Sequence, residues 1–304
     1  MELFFQMFGL QIELLLLMGV GYAVNKLKII DKHQQKGLSE LLINIILPAN
    51  IIKSFISNKF SYELLQNSIL MLIICAVIQL FTIVVFPYLF KKFDKTKANV
   101  MEYGMLVSNS SFIGIPVVDY LFGSVAVVYT AIFQIPMRIT MWTAGISLFT
   151  ENYDKKEKMR LIFAHPCIIA VYIGLFLMLL QIELPAFISG TIGYLSNATT
   201  AISMIIIGSL LAEIKVNDFL DKGSMYFTFL RLIFFPLLVL VVLRLLNVDN
   251  MLVSISVLLT AMPCGSTCAI LAQKYGYDDL YATKLIFVSS IISTITVPLI
   301  CLFL

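Results

Sequence analysis

Apolar runs of roughly 20 residues recur along almost the whole chain, and each ends in a short stretch of charged or turn-forming residues. A helix needs about that many residues to cross a bilayer, because each adds about 1.5 Å to a hydrocarbon layer about 30 Å thick. The candidate spans are 3–24, 38–55, 64–90, 100–122, 125–149, 161–180, 188–212, 225–243, 251–272 and 280–304. Ten such runs leave no room for a soluble domain in 304 residues. Only 13% of residues are charged and 60% are hydrophobic, whereas a soluble domain carries about 25% charged residues. The short alternating segments of a membrane β-barrel are absent. The expected fold class is therefore an all-α polytopic membrane protein with ten transmembrane helices. All five cysteines (Cys75, Cys167, Cys264, Cys268 and Cys301) fall inside apolar runs, which suggests neither a disulfide framework nor a spaced zinc site.

Lysine and arginine give the expected orientation. The loops after the odd-numbered spans hold 15 of them, from Lys26 to Lys274, including Lys155, Lys156, Lys158, Arg160 and Lys215. The opposite side holds only Lys53, Lys59 and Arg244. Cationic loops stay cytoplasmic, so both termini are expected outside the cell membrane. The polar stretch 151–160 divides the chain into 1–150 and 151–304, five spans each. An odd number of spans turns the second half upside down relative to the first. An offset of 153 positions then aligns Asn44 with Asn197 and Gly123 with Gly276. The pattern reads as two inverted five-helix repeats, a frequent transporter architecture.

Spans four and nine carry the chemistry. Span four contains Ser108-Asn109-Ser110-Ser111-Phe112-Ile113-Gly114-Ile115-Pro116, and span nine contains Ala261-Met262-Pro263-Cys264-Gly265-Ser266-Thr267-Cys268. Proline removes a backbone donor and clashes with the preceding turn, while glycine and serine neighbours let the helix open. Opened helix leaves N–H and C=O groups that in lipid need a cavity or a ligand. Two broken helices meeting at mid-membrane form a polar site, and their positive N-terminal ends favour an anion. Asn109, Ser110, Ser111, Pro116, Pro263, Gly265, Ser266 and Thr267 are the candidates there. The competing reading is a pair of proline-kinked helices packed through small residues.

The segments 42–52, 109–116 and 261–276 resemble the auxin efflux carrier family, also called PIN-like or malate/malonate permease-like transporters. The Asn109–Pro116 run carries the likeness most specifically. The resemblance implies a scaffold and dimer interface from helices 1, 2, 6 and 7, and a mobile transport domain from helices 3–5 and 8–10. It places the broken, crossing helices four and nine beside the substrate, with Asn109 and Pro263 at the breaks. Plant auxin carriers have proline where this chain has Ser108, so the first break is expected to be softer or shifted. Auxin itself is not implied.

Other polar residues within spans have two readings each. Asn44 and Asn197 either line the cleft or bond between helices. Arg138 either counters an anionic substrate or pairs with a carboxylate or a helix C-terminus. Arg231 is expected to snorkel towards the cytoplasmic interface, with Lys284 similarly interfacial. Glu13 and Asp119 are the carboxylates at a depth suited to ion coupling. The leading function is an elevator-type secondary transporter of a small organic anion such as a carboxylate. The second is a membrane sensor that kept a transporter fold. An intramembrane enzyme ranks last, because His33 and His165, the only histidines, sit at span ends. No phosphate-binding glycine-rich loop suggests direct ATP use. The expected partners are the anion, the bilayer and a second copy of the chain. No nucleic acid or cofactor is expected, and the coupling ion, H+ or Na+, stays open.

Overall fold

A computed structural model describes residues 2–58, 61–150, 164–212, 221–265 and 267–304. The expected repeat boundary at 151–160, with Lys155, Lys156, Lys158 and Arg160, lies outside the described residues, as do Lys59, Lys215 and Ser266.

Among the described residues the chain is helical, and a single isolated antiparallel bridge, Ser108 to Cys264, is the exception. The helices are α1 (Glu2–Lys26), α2 (Lys32–Leu41), α3 (Leu47–Ile56), α4 (Tyr62–Phe90), α5 (Lys95–Leu106), α6 (Ile115–Thr140), α7 (Pro166–Leu179), α8 (Ala186–Asn197), α9 (Thr199–Ala212), α10 (Lys222–Phe229), α11 (Phe235–Leu245), α12 (Asn250–Ala261), α13 (Thr267–Lys274) and α14 (Asp279–Cys301). Single π-helical turns join α2 to α3 at Leu42–Ile46 and α10 to α11 at Leu230–Phe234. Two more, Ser110–Gly114 and Met141–Gly145, flank α6. Among the described residues, six continuous helical stretches are long and apolar enough to cross a membrane, and α7 and α12 are shorter apolar helices. The protein is a polytopic helical membrane protein.

Polar side chains start many of these helices where they emerge. Asp31 and Asp221 form reciprocal capping boxes with Gln34 and Ser224. Ser61, Asp94, Asp249 and Asp278 each accept from a backbone N–H of the first turn. Such caps satisfy donors that the first helical turn leaves orphaned. Gly123 has φ 73° and ψ −168°, so α6 is two helices joined at a sharp turn. Gly276, aligned with it by sequence, also has φ 73° and joins α13 to α14.

Two groups of helices pack within themselves. Helix α1 lies along α9, and α3 lies against α7 and α8. The α1–α9 contact is backbone on backbone: a Cβ at Gly208 would meet the Met18 carbonyl oxygen at 1.9 Å, and one at Gly21 the Ile205 oxygen at 2.2 Å. Small residues let membrane helices approach this closely where no hydrophobic effect drives them together. In the second group α4 packs on α5 and α6, and α11 and α14 pack on α12. The aromatic cluster Phe81, Phe86, Phe90 and Phe235 ties α4 to α11.

Candidate functional site

Helix α5 stops at Leu106 and α12 stops at Ala261. The cause in α12 is Pro263, which has no N–H for the Leu259 carbonyl. The first break falls at 107–109 although Ser108 is not proline. The two broken segments run antiparallel past one another. Asn109 N–H donates to the Pro263 carbonyl at 2.8 Å, and Gly265 N–H to the Val107 carbonyl at 2.9 Å. Two donor–acceptor pairs freed by the breaks thus satisfy one another across the crossing. Gly265 keeps this approach close: a Cβ would lie 3.1 Å from a Val107 methyl and 3.2 Å from its carbonyl oxygen, so a side chain there would have to push the neighbouring segment back. Cys264 N–H is taken by the Ser289 hydroxyl of α14 at 3.1 Å.

Side chains around this crossing form a donor-rich cluster. Asn109 is 8% exposed, and although it stands at the N-cap of the Ser110–Gly114 turn its side chain makes no capping bond. Ser111 donates to Gln134 Oε1 at 2.9 Å, and Arg138 donates to Ser111 Oγ and to Gln134 Oε1, each at 3.2 Å. A third Arg138 contact, at 3.0 Å, is to Nε2 of His165. His165 Nδ1 already faces the Cys167 N–H at 3.2 Å. Both ring nitrogens therefore face donors, yet a neutral imidazole has only one acceptor nitrogen. Among the described residues Arg138, 8% exposed, meets no carboxylate. The cluster holds more donors than acceptors and a buried positive charge, which suits an anionic acceptor.

The remaining candidates divide. Ser108 and Ser110 direct their hydroxyls at Met137 sulfur, at 3.6 and 3.7 Å. Thr267 accepts from the buried Tyr103 hydroxyl at 3.1 Å. Pro116 and Asn197 line a cavity of about 290 Å³ with Asn50, Ile115, Asp119, Ser196, Thr199 and Thr200. Lys53 donates to Asn197 at 3.0 Å. Asn44 is exposed on the π-turn between α2 and α3 and does not line that cavity. Glu13 is also exposed, on α1.

Residues 7–301 match the family described as membrane transport protein. The chain belongs to that family, the auxin efflux carrier (PIN-like) transporters. It is 25% identical to an uncharacterized transporter of Methanothermobacter thermautotrophicus over 95% of each chain. It is 21% identical to the uncharacterized transporter YfdV of Escherichia coli, over 95% of this chain and 94% of that one. A transporter of Methanocaldococcus jannaschii is 22% identical over 94% of each. This member of the family is thus a membrane transport protein and not an enzyme.

One residue of this carrier departs from its expectation outright. Arg231 does not snorkel: it is 2% exposed, its Nε donates to the Met262 carbonyl at 2.9 Å, and its Nη1 to the Met105 carbonyl at 2.8 Å. Arg231 sits in the Leu230–Phe234 π-turn, and its guanidinium points inward to those two carbonyls. Lys284 pairs with Asp221, which caps α10. Gln134 and His165 were also missed as members of the cluster. Gln134 precedes Arg138 by one helical turn, a spacing that was a usable signal.

Proposed function

We propose that the protein is a secondary transporter of small organic anions, carboxylates in the first instance, and that it works by an elevator-type movement. The observation that carries the reading is Arg138, a buried guanidinium that meets no carboxylate among the described residues and donates to the Ser111 hydroxyl and to Gln134 Oε1, an oxygen that Ser111 also uses. A buried charge without a counter-charge costs several kcal/mol, so its retention calls for an anion that occupies the site during the transport cycle. Asn109, with its amide uncommitted to any cap, is a second candidate donor, two residues before Ser111.

In this reading ten spans form two inverted five-helix repeats. The matching φ of Gly123 and Gly276 and the paired breaks of spans four and nine support it. Spans one, two, six and seven (α1, α2–α3, α7 and α8–α9) make the scaffold, and the rest move as the transport domain. The exposed Asn44 and the exposed faces of α8, with Phe187 and Tyr194 outward, supply a surface for a homodimer. The cationic loops keep the cytoplasmic side, with both termini outside a cell membrane. Asp119, at the cavity, is the carboxylate best placed for a coupling ion.

The test is a binding and uptake screen of purified, reconstituted protein against mono- and dicarboxylates and their neutral amides. Arg138→Gln should weaken binding of any carboxylate that the wild type takes by roughly ten- to a hundredfold, the worth of a charge-assisted hydrogen bond of about 1.5–3 kcal/mol. Wild-type protein that takes up no anion, or Arg138→Gln with unchanged affinity, would contradict the assignment.

A further inference from the structure

Each break in a membrane helix makes two ends of opposite character. The end that stops presents carbonyl oxygens and a partial negative charge, and the end that starts presents N–H groups and a partial positive one. An anion at the crossing gains from the starting ends, at Ser110 and Thr267, and loses to the stopping ends, at Leu106 and Met262. The backbone exchange between the breaks leaves specific carbonyls over. A continuous helix would give the Met105 carbonyl the N–H of Asn109, but that N–H is committed to Pro263. Met262, the C-cap of α12, is extended at φ −65°, ψ 146°, so its carbonyl leaves the helical direction.

Arg231 takes both oxygens with one guanidinium, and its charge meets no carboxylate among the described residues. It reaches them from a third element, the π-turn between α10 and α11, which belongs to neither broken helix. We propose that Arg231 is the residue that makes the crossing selective for anions: it neutralises the carbonyl ends of both breaks and leaves only their positive ends to act on a ligand. It is a positioning residue and need not touch the ligand, in contrast to Arg138. The inference rests on the anion reading above and goes beyond it, because it explains how the negative ends of two half-helices are kept from opposing the substrate.

Three substitutions separate charge from geometry. Arg231→Gln keeps donors and removes the charge, Arg231→Lys keeps the charge but loses the fork that bridges two carbonyls, and Arg231→Met removes both. The first readout is the affinity ratio within acid–amide probe pairs: acetate and acetamide, malonate and malonamide, benzoate and benzamide. The pair that the wild type discriminates best is carried forward. The second is mass-spectrometric labelling of Cys264 and Cys268, both fully buried at the crossing, against Cys75, fully buried in α4. Arg231→Lys should hold the acid preference within about threefold, while Arg231→Gln and Arg231→Met should lose about tenfold of it, the scale of two helix ends. Labelling of Cys264 should rise in Arg231→Met while Cys75 stays protected, which marks a loosened crossing in a folded protein.

A folded Arg231→Gln protein with the wild-type acid preference overturns the proposal and leaves the anion reading intact. If Arg231→Gln does not fold, a folded Arg231→Lys protein that has lost the preference overturns it equally. A wild type that prefers none of the acids removes the anion reading, and the selectivity role with it.

Discussion

Asn109 carries a side chain whose absence the fold should hardly notice. An N-cap asparagine normally contributes about 1 kcal/mol through its bond to the first turn, and Asn109 makes no such bond. Asn109→Ala should therefore leave thermal stability in detergent nearly unchanged. If Asn109 binds the substrate as proposed, the substitution should still weaken carboxylate binding about ten- to a hundredfold. Affinity within twofold of wild type for a confirmed substrate would remove Asn109 from the site. Pro263→Ala restores an N–H to the Leu259 carbonyl and invites α12 to continue, so transport should fall further than stability. Both residues were legible in the sequence, because proline, glycine and small polar residues in the middle of an apolar run have few uses. Arg231 was not. A cation close to the end of an apolar helix looks the same whether it reaches for water or turns inward, and the single π-turn that decides between them leaves no pattern in the sequence. His165 was set aside for a similar reason: a histidine at a span end gives no sign of which buried arginine approaches it.

Turns and close contacts between elements separate two kinds of glycine. At Gly123 and Gly276 a Cβ would meet nothing within 4 Å, so only the positive φ of 73° opposes a side chain. Gly123→Ala and Gly276→Ala should each cost about 1–3 kcal/mol, the price of backbone strain, and by similar amounts if the two turns are equivalent. Gly208 has an ordinary φ, but a Cβ there would lie 1.9 Å from the Met18 carbonyl oxygen. Gly208→Ala must push α1 and α9 apart along their length, and it should lower the unfolding midpoint more than either turn variant. Thermal unfolding of the three purified proteins checks the order, and a Gly208→Ala protein as stable as wild type would show that α1 and α9 are not in close contact. The turns were readable because the repeat offset aligned their glycines. The α1–α9 contact was not, since Gly21 and Gly208 lie 187 positions apart and nothing local links them. The breaks themselves were located from sequence, but their mutual backbone pairing was not. From sequence, opened helix calls for a cavity or a ligand, whereas the two bonds exchanged between the breaks depend on a crossing that only three dimensions reveal.

At the scale of the whole molecule, the elevator reading requires α1, α2–α3, α7, α8 and α9 to stay fixed while the other helices slide. Orientation is the first check. Cysteine introduced at Lys95, the first residue of α5 beside the cationic loop, should be shielded from impermeant thiol reagents in intact cells and labelled once they are opened. Motion is the second, and the two helix groups offer a matched pair of positions for it. Asn58, just past α3, donates to the Ser124 hydroxyl at 3.1 Å, and Ser124 follows the Gly123 turn in α6. This contact joins the proposed scaffold to the proposed transport domain. Asn25 of α1 donates to the Ser209 hydroxyl of α9, also at 3.1 Å, and both lie within the scaffold. Cysteines at either pair are within reach of a short bis-thiol crosslinker. If the groups move as rigid bodies, crosslinking Asn58→Cys to Ser124→Cys should abolish uptake while ligand binding from the open side persists. Crosslinking Asn25→Cys to Ser209→Cys should leave uptake near that of the uncrosslinked double variant. The five native cysteines are buried, so they add little background. Undiminished uptake through the Asn58–Ser124 crosslink would mean that the boundary between fixed and moving parts lies elsewhere, and equal inhibition by both crosslinks would mean that the α1–α9 pair moves as well.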